Sequence, residues 1–243
     1  MLLRNYKSAL LSLAIVSLLG ATAVSTSAEA RERQDRKSSQ KEENRYPDAT
    51  REEPKVKGSP KVQKKLQSMV DAYNKDDFAA ARALADEIIA TEAATAYDRS
   101  VAGQIGSQAA YNTDDTAGTI AYLKRAIEEN ALDNNSHYQL MYMLAGVQLQ
   151  EDQFAEGLAT LDRYFAETKS QKPEDLVLKG QALYQSERYA EAIPVLKQAI
   201  DSSPEPKDNW LQLLMASYAE AGQAGEATKL AESIAAKSPD DKK

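Results

Sequence analysis

Carboxylates are the side chains in this chain best spaced to do chemistry. They recur as adjacent pairs, Asp76-Asp77, Asp114-Asp115 and Glu151-Asp152. Such a pair could share a proton as an acid–base couple or begin a calcium loop. A calcium loop needs further oxygen ligands at alternate positions and a glycine at its bend, and neither follows here. Each pair stands just before an apolar pattern of helical period. There an acidic side chain accepts hydrogen bonds from the free N–H groups of the first turn and meets the positive end of the helix. The pairs are therefore read as helix caps. Cysteine is absent and His137 is the sole histidine, which excludes a disulfide, a thiol nucleophile and a histidine metal cluster. His137 itself is expected at the surface, near a helix start. Gly103-Gln104-Ile105-Gly106 has no strand before it and no Lys-Ser/Thr after it, so it reads as close helix packing and not as a phosphate loop. Asn134-Asn135-Ser136 matches a glycosylation acceptor but is read as a helix start. No nucleophile–base pair is present. Catalytic residues, a metal and a cofactor are all expected to be absent.

The elements that carry these residues repeat. Tyr73-Asn74-Lys75-Asp76-Asp77-Phe78-Ala79 returns as Tyr111-Asn112-Thr113-Asp114-Asp115-Thr116-Ala117, then as Leu149-Gln150-Glu151-Asp152-Gln153-Phe154-Ala155, then as Tyr184-Gln185-Ser186-Glu187-Arg188-Tyr189-Ala190. A worn fifth copy starts at Tyr218-Ala219-Glu220. A fixed period of roughly 35 to 38 residues means one supersecondary unit stacked on itself. The fourth unit shows its construction. Leu176, Gly180, Leu183 and Tyr184 share one stripe. After a short turn, Tyr189, Ala192, Ile193, Leu196, Ala199 and Ile200 share another, at the three-and-four spacing of an amphipathic helix. Pro204 stops it. Helix pairs are predicted over residues 61–91, 96–129, 134–168, 173–202 and 207–237. Pro194 lies close enough to a helix start to cause only a local bend.

Gly180, Ala192, Ala199 and Pro204 of the fourth unit, with Trp210, Ala227 and Pro239 of the fifth, resemble the tetratricopeptide repeat (TPR) pattern. The third unit keeps Ala145 and Phe154 but has Gly157 and Tyr164 at its two alanine places. The second keeps Ala126 with Thr119, and the first keeps Phe78 and Ala81. The resemblance covers roughly residues 61–239. It implies an all-α, right-handed α-solenoid of about five helix-turn-helix repeats, whose first helices line a concave groove that holds a protein or peptide. Chaperone-binding members of the family hold a terminal carboxylate with lysine and asparagine on these helices. The matching places here are Leu66, Gln104, Tyr142, Val177 and Leu211, so no carboxylate clamp is predicted. A narrower likeness joins residues 142–154, 161–165 and 209–214 to exported TPR proteins that accompany the TonB–ExbB–ExbD system. It implies a partner in that system or in the cell-wall machinery.

The end of each first helix pairs a large residue with an amide. An amide both donates to and accepts from a peptide backbone, and a tyrosine offers a flat surface with a polar tip. Tyr73, Asn74, Tyr111, Asn112, Tyr142, Gln150, Gln181, Tyr184, Gln185 and Tyr218 are the candidate contacts. The alternative is that these tyrosines only pack against the next repeat while the amides face water.

Composition sets the remaining bounds. A net charge of −7 argues against nucleic acid, which needs a basic face. Residues 1–30 read as a signal peptide: Arg4 and Lys7, then an apolar run of about 12 residues where a spanning helix needs ~20, then Ala28-Glu29-Ala30 as the cleavage site. The competing reading is a retained anchor. Export from a Gram-negative cell would make the protein periplasmic, with no membrane span in the mature form. Residues 31–58 carry nine Lys/Arg against seven Asp/Glu up to Lys57 and few apolar side chains. They are predicted to be a disordered linker, with 59–243 as the helical domain. That arm could instead bind the cell wall or a polysaccharide, which would make the protein a structural factor. No extra polar helix follows the last one, so this end is expected either to be self-sufficient or to be covered by a partner or a second copy.

Overall fold

The computed structural model describes residues 43–237, the side chain of Lys237 excepted. The predicted signal peptide, residues 31–42 of the arm and residues 238–243 lie outside the described residues. The described residues from 48 onward make one unit.

Ten helices are found among the described residues, in five antiparallel pairs. They are α1 (Gln63–Tyr73) with α2 (Phe78–Ala90), α3 (Ala96–Tyr111) with α4 (Thr116–Glu128), α5 (Asn134–Gln150) with α6 (Phe154–Thr168), α7 (Pro173–Gln185) with α8 (Tyr189–Asp201), and α9 (Asp208–Glu220) with α10 (Ala224–Lys237). Each helix packs on the next. First helices also touch across repeats, α1 on α3 and α7 on α9. The five predicted pairs thus form, with ends within a few residues of the expected ones.

The recurring block is a turn, and its geometry explains its sequence. Asp76, Asp114, Asp152 and Glu187 have φ of 58°, 55°, 58° and 60°, and Gly222 has 74°. Each is the left-handed residue after a first helix. The next N–H reaches back five residues in every case: Asp77 to Ala72 O, Asp115 to Ala110 O, Gln153 to Gln148 O, Arg188 to Leu183 O and Gln223 to Tyr218 O, at 2.8–3.0 Å. This closes the orphan carbonyls of the first helix. It also corrects the capping expectation. Only the second member of a pair caps. Asp77 Oδ1 accepts from Ala80 N (3.0 Å) and Asp115 Oδ1 from Gly118 N (2.8 Å). In the third repeat the pair sits one residue early, so Glu151 ends α5 and Asp152 takes the left-handed place. Gln153 then stands at the cap and makes no side-chain cap bond.

Small residues let the helices of a pair approach. Gly103 of α3 lies against the backbone of α4 at Tyr122 and Ala126, and Ser100 Oγ donates to Ala126 O at 3.1 Å. Gly180 lies against Leu196. Where the third repeat puts Tyr164 in a small-residue place, the ring is buried. Its hydroxyl donates to Asp175 of α7 at 2.7 Å, and Ser170 Oγ donates to the same oxygen at 2.5 Å. A large side chain thus bridges the third and fourth repeats.

Residues 48–60 belong to the predicted linker up to residue 58. In the structure they run as an extended arm along the repeat edge formed by first-helix starts and second-helix ends. Thr50 N donates to Glu167 O at 2.8 Å. The Arg51 guanidinium meets Asn130 Oδ1 (2.7 Å), Asn130 O (3.0 Å), Leu132 O (2.9 Å) and Asn134 Oδ1 (2.6 Å). Glu53 accepts from Asn134 N at 3.1 Å, and Asp98 Oδ2 accepts from Ser59 N at 2.9 Å. Arg51 therefore satisfies carbonyls after α4 while Glu53 caps α5. Arg51→Ala removes four donors from a part-buried site and should cost about 1–2 kcal/mol. A lowered urea midpoint, with faster proteolysis between residues 48 and 60, would show it.

His137, expected at the surface, is fully buried in the first turn of α5, edge-on to Tyr138 at 5.4 Å. Neither ring nitrogen has a hydrogen-bond partner among the described residues. The helix start that would have exposed it is occupied: Arg51 of the arm binds Asn134 there, and α5 packs on α6. No local pattern announces that the arm returns to this place.

Candidate partner-binding site

The shared left-handed residue fixes the register of the repeats. Positions 38 residues apart are equivalent between the first, second and third repeats, and positions 35 apart between the third, fourth and fifth. Counting back from it, one face of each first helix recurs at four-residue steps. It is Leu66, Val70, Asn74 on α1; Gln104, Gln108, Asn112 on α3; Tyr142, Gly146, Gln150 on α5; Val177, Gln181, Gln185 on α7; and Gln212, Ala216, Glu220 on α9. Residues four apart on a helix share one side. Every one of these is half-buried or exposed, while the opposite side, such as Ala102, Ala109 and Ala110 of α3, is fully buried. Stacked helix pairs of this kind curve with their first helices inward, which makes this the candidate binding face.

Most of the candidate residues fall on or beside this face. Asn74 and Asn112 are exposed, while Tyr142, Gln150, Gln181, Tyr184 and Gln185 are half-buried. Tyr111 is 40 % exposed, one of the two most exposed large apolar side chains among the described residues. Asn112 Nδ2 donates to the Tyr73 hydroxyl of the preceding repeat at 3.2 Å and to Gln108 O at 2.9 Å, so its amide nitrogen is engaged within the protein. Tyr73 packs edge-on to Phe78 at 5.6 Å and Tyr184 to Tyr189 at 5.2 Å, which brace the turns. Burial pushes the Tyr184 hydroxyl up from its ordinary pKa. Tyr142 lies 5.9 Å from Tyr164. These tyrosines hold the stack and border the face at once.

Two placements differ from the sequence reading. Tyr218 is one residue out of register. Its equivalents are Ala110, Gln148 and Leu183, and like them it is buried, at 8 %, so it belongs to the core. The residue matching Tyr184 is Ala219. For the same reason Gln212, not Leu211, is the fifth inward position. The block's fifth copy has worn away its acidic signature, and only the turn at Gly222 reveals the shift.

Gln108 and Gly146 were not singled out from the sequence. The four-residue ladder Gln104, Gln108, Asn112 was the signal available for the first. For Gly146 the signal is structural: a Cβ built there would meet nothing within 4 Å. Gln185 Oε1 is buried with no hydrogen-bond partner among the described residues. No group of three acidic or histidine side chains among the described residues is arranged to hold a metal. No helix among them is long and apolar enough to cross a membrane.

The ion pairs stand away from this face. Arg82 of α2 pairs with Asp115 at 2.5 Å, and Tyr122 of α4 donates to Asp86 of α2 at 2.6 Å. Burial, then Asp86, pushes the Tyr122 hydroxyl up to about 12. The Gly118 N–H and Arg82 hold the Asp115 carboxyl below its ordinary range. Arg99 forks onto Glu129 at 2.7 and 2.9 Å.

A family model for the tetratricopeptide repeat-like domain matches residues 3–220. No curated protein matches. Solved structures share the fold. YrrB, described as a TPR protein with an unusual peptide-binding site, is 14% identical over 74% of this chain and 88% of its own, with a TM-score of 0.60. MamA is 14% identical over 73% of this chain and 92% of its own, at 0.59. A kinesin light chain of Podosopora anserina with nearly identical TPR-like repeats is 15% identical over 75% and 98%, at 0.54.

Proposed function

The chain belongs to the tetratricopeptide repeat-like domain family, and on that premise we propose that it is a scaffold that binds a protein or peptide along its row of first helices. One observation carries the reading: the same half-exposed, amide- and tyrosine-bearing face recurs on consecutive first helices. An extended partner laid across them would meet a donor–acceptor pair in each repeat from α3 to α7.

The test is Asn112, Gln150 and Gln185 changed together to alanine. Partner capture by cross-linking and mass spectrometry should fall at least tenfold, with the helical circular-dichroism signal unchanged. Unaltered capture would reject the face.

Export to the periplasm is part of the proposal and is supported by the reading of residues 1–30. The likeness to proteins of the TonB system adds no argument for a partner. Leu144, Ala145, Val147, Leu149, Trp210 and Leu214, which carry much of it, are buried and answer to packing. Nor is a cell-wall role taken up, since Arg51 and Glu53 of the arm are engaged with the repeats.

A further inference from the structure

The recurring face differs from the rest of the chain in its charge. Charged residues make up 28% of the chain. On the recurring face, however, no Asp, Glu, Lys or Arg occurs until Glu220 in the last repeat. The second helices hold charge in the ordinary way, as in Arg82, Asp86, Arg125 and Glu129. A half-exposed surface usually draws its polarity from ionised groups. Here it draws it from Gln104, Gln108, Asn112, Gln150 and Gln181.

Gly146 lies at the centre of this face. Glycine inside a helix is unfavourable by about 1 kcal/mol against alanine, and no neighbour requires it, because open space lies in front of it. Apart from Gly225 in the first turn of α10, the other helical glycines do meet neighbours: Gly103 the α4 backbone, Gly106 the Tyr122 ring, Gly157 Leu149. A bare helix surface is what the close approach of another backbone needs. Tyr142 stands one turn before it, Gln150 one turn after, and Tyr111 is exposed on the preceding first helix.

We propose that the face takes an uncharged, extended, internal peptide segment whose backbone passes over Gly146 and is held by the flanking amides. This rests on the peptide-binding reading above and narrows it. A carboxylate, ammonium or guanidinium brought here would leave water without meeting an opposite charge. A free C-terminus is disfavoured for the same reason. Amides, in contrast, satisfy both halves of a peptide unit.

The probe is a displayed library of random twelve-residue peptides, selected on the full chain. Selected sequences should be poor in Asp, Glu, Lys and Arg, and should bind equally well when acetylated and amidated. Their affinity should change less than about twofold between ~0.05 and ~0.5 M salt, since exposed ion pairs would weaken over that range. Gly146→Leu should lower it at least tenfold while the thermal midpoint holds or rises. Selected peptides rich in charge, or dependent on a free carboxylate, would overturn this inference and leave the peptide-binding reading standing. Unchanged affinity in Gly146→Leu would do the same. Failure to select any peptide would reject both. So would binding of a soluble chitooligosaccharide that Gly146→Leu abolishes, which would assign the face to sugar.

Discussion

Gly103→Val should destabilise the fold by about 3 kcal/mol, the upper range for overpacking a core. A Cβ on Gly103 would lie 2.9 Å from Tyr122 O, 3.0 Å from Ala126 N and 3.0 Å from Ala126 Cβ. Two of those atoms are backbone of α4, which cannot rotate away as a side chain does. The helices must separate, and the crossing that would open also holds the Ser100–Ala126 hydrogen bond and the Arg99–Glu129 fork. Urea unfolding followed by circular dichroism measures the loss. Gly146→Leu is the control, because it adds a larger side chain to a helical glycine that faces open space. If both variants unfolded at the same urea concentration, close approach would not be the reason for Gly103.

Stability should also fall by about 2 kcal/mol between pH 7 and pH 5 through His137 alone. Its pKa is lowered to about 3, first by burial and then by Arg51 and Arg163, with Asp133 acting the other way. The start of α5 adds a further penalty on a cation. In the unfolded chain it titrates at the ordinary 6.5. Between these values the unfolded form binds a proton that the folded form refuses. Stability is therefore intact above pH 6.5 and declines as pH drops below it, down to about pH 3. Carboxylates titrate in the same experiment, so the readout is the difference from His137→Phe, which keeps an aromatic ring in the site. The variant should lose less stability than the parent over this interval. An equal loss in both would show that His137 is protonated, or open to water, when folded.

The period and its phase were legible because a Schellman-type turn makes demands that sequence records: a residue tolerant of positive φ, then an N-cap. Asp76-Asp77 and Asp114-Asp115 meet both, and the helix pairs followed from them. Where Gln153 and Arg188 replace the capping acid, the periodicity of apolar residues still carried the assignment. Phase was lost where the marker was lost. Without an acid in the last turn, Tyr218 looked like Tyr184, although one residue of register turns it by about 100° around its helix and into the core. The groove amides were half visible. Asn112, Gln150 and Gln185 stand next to the turn, whereas Gln108 and Gly146 lie within helices and become neighbours only once every repeat is aligned. His137 and Arg51 were invisible for another reason. Their surroundings are made by segments far apart in the chain, and a charged stretch rich in Glu, Lys and Arg carries no mark of the four acceptors that await one of its arginines.

The seated arm has a kinetic consequence. Contacts in a stack of helix pairs are between near neighbours in sequence, and such chains fold fast. The bond from Thr50 to Glu167 joins residues 117 apart, and those from Arg51 to Asn134 join residues 83 apart. Closing those spans is entropically unrewarded until the second and third repeats exist to receive them. Refolding should thus end with a separate slow phase in which the arm anneals onto a preassembled array, and that phase should vanish, without slowing the rest, when the arm is removed.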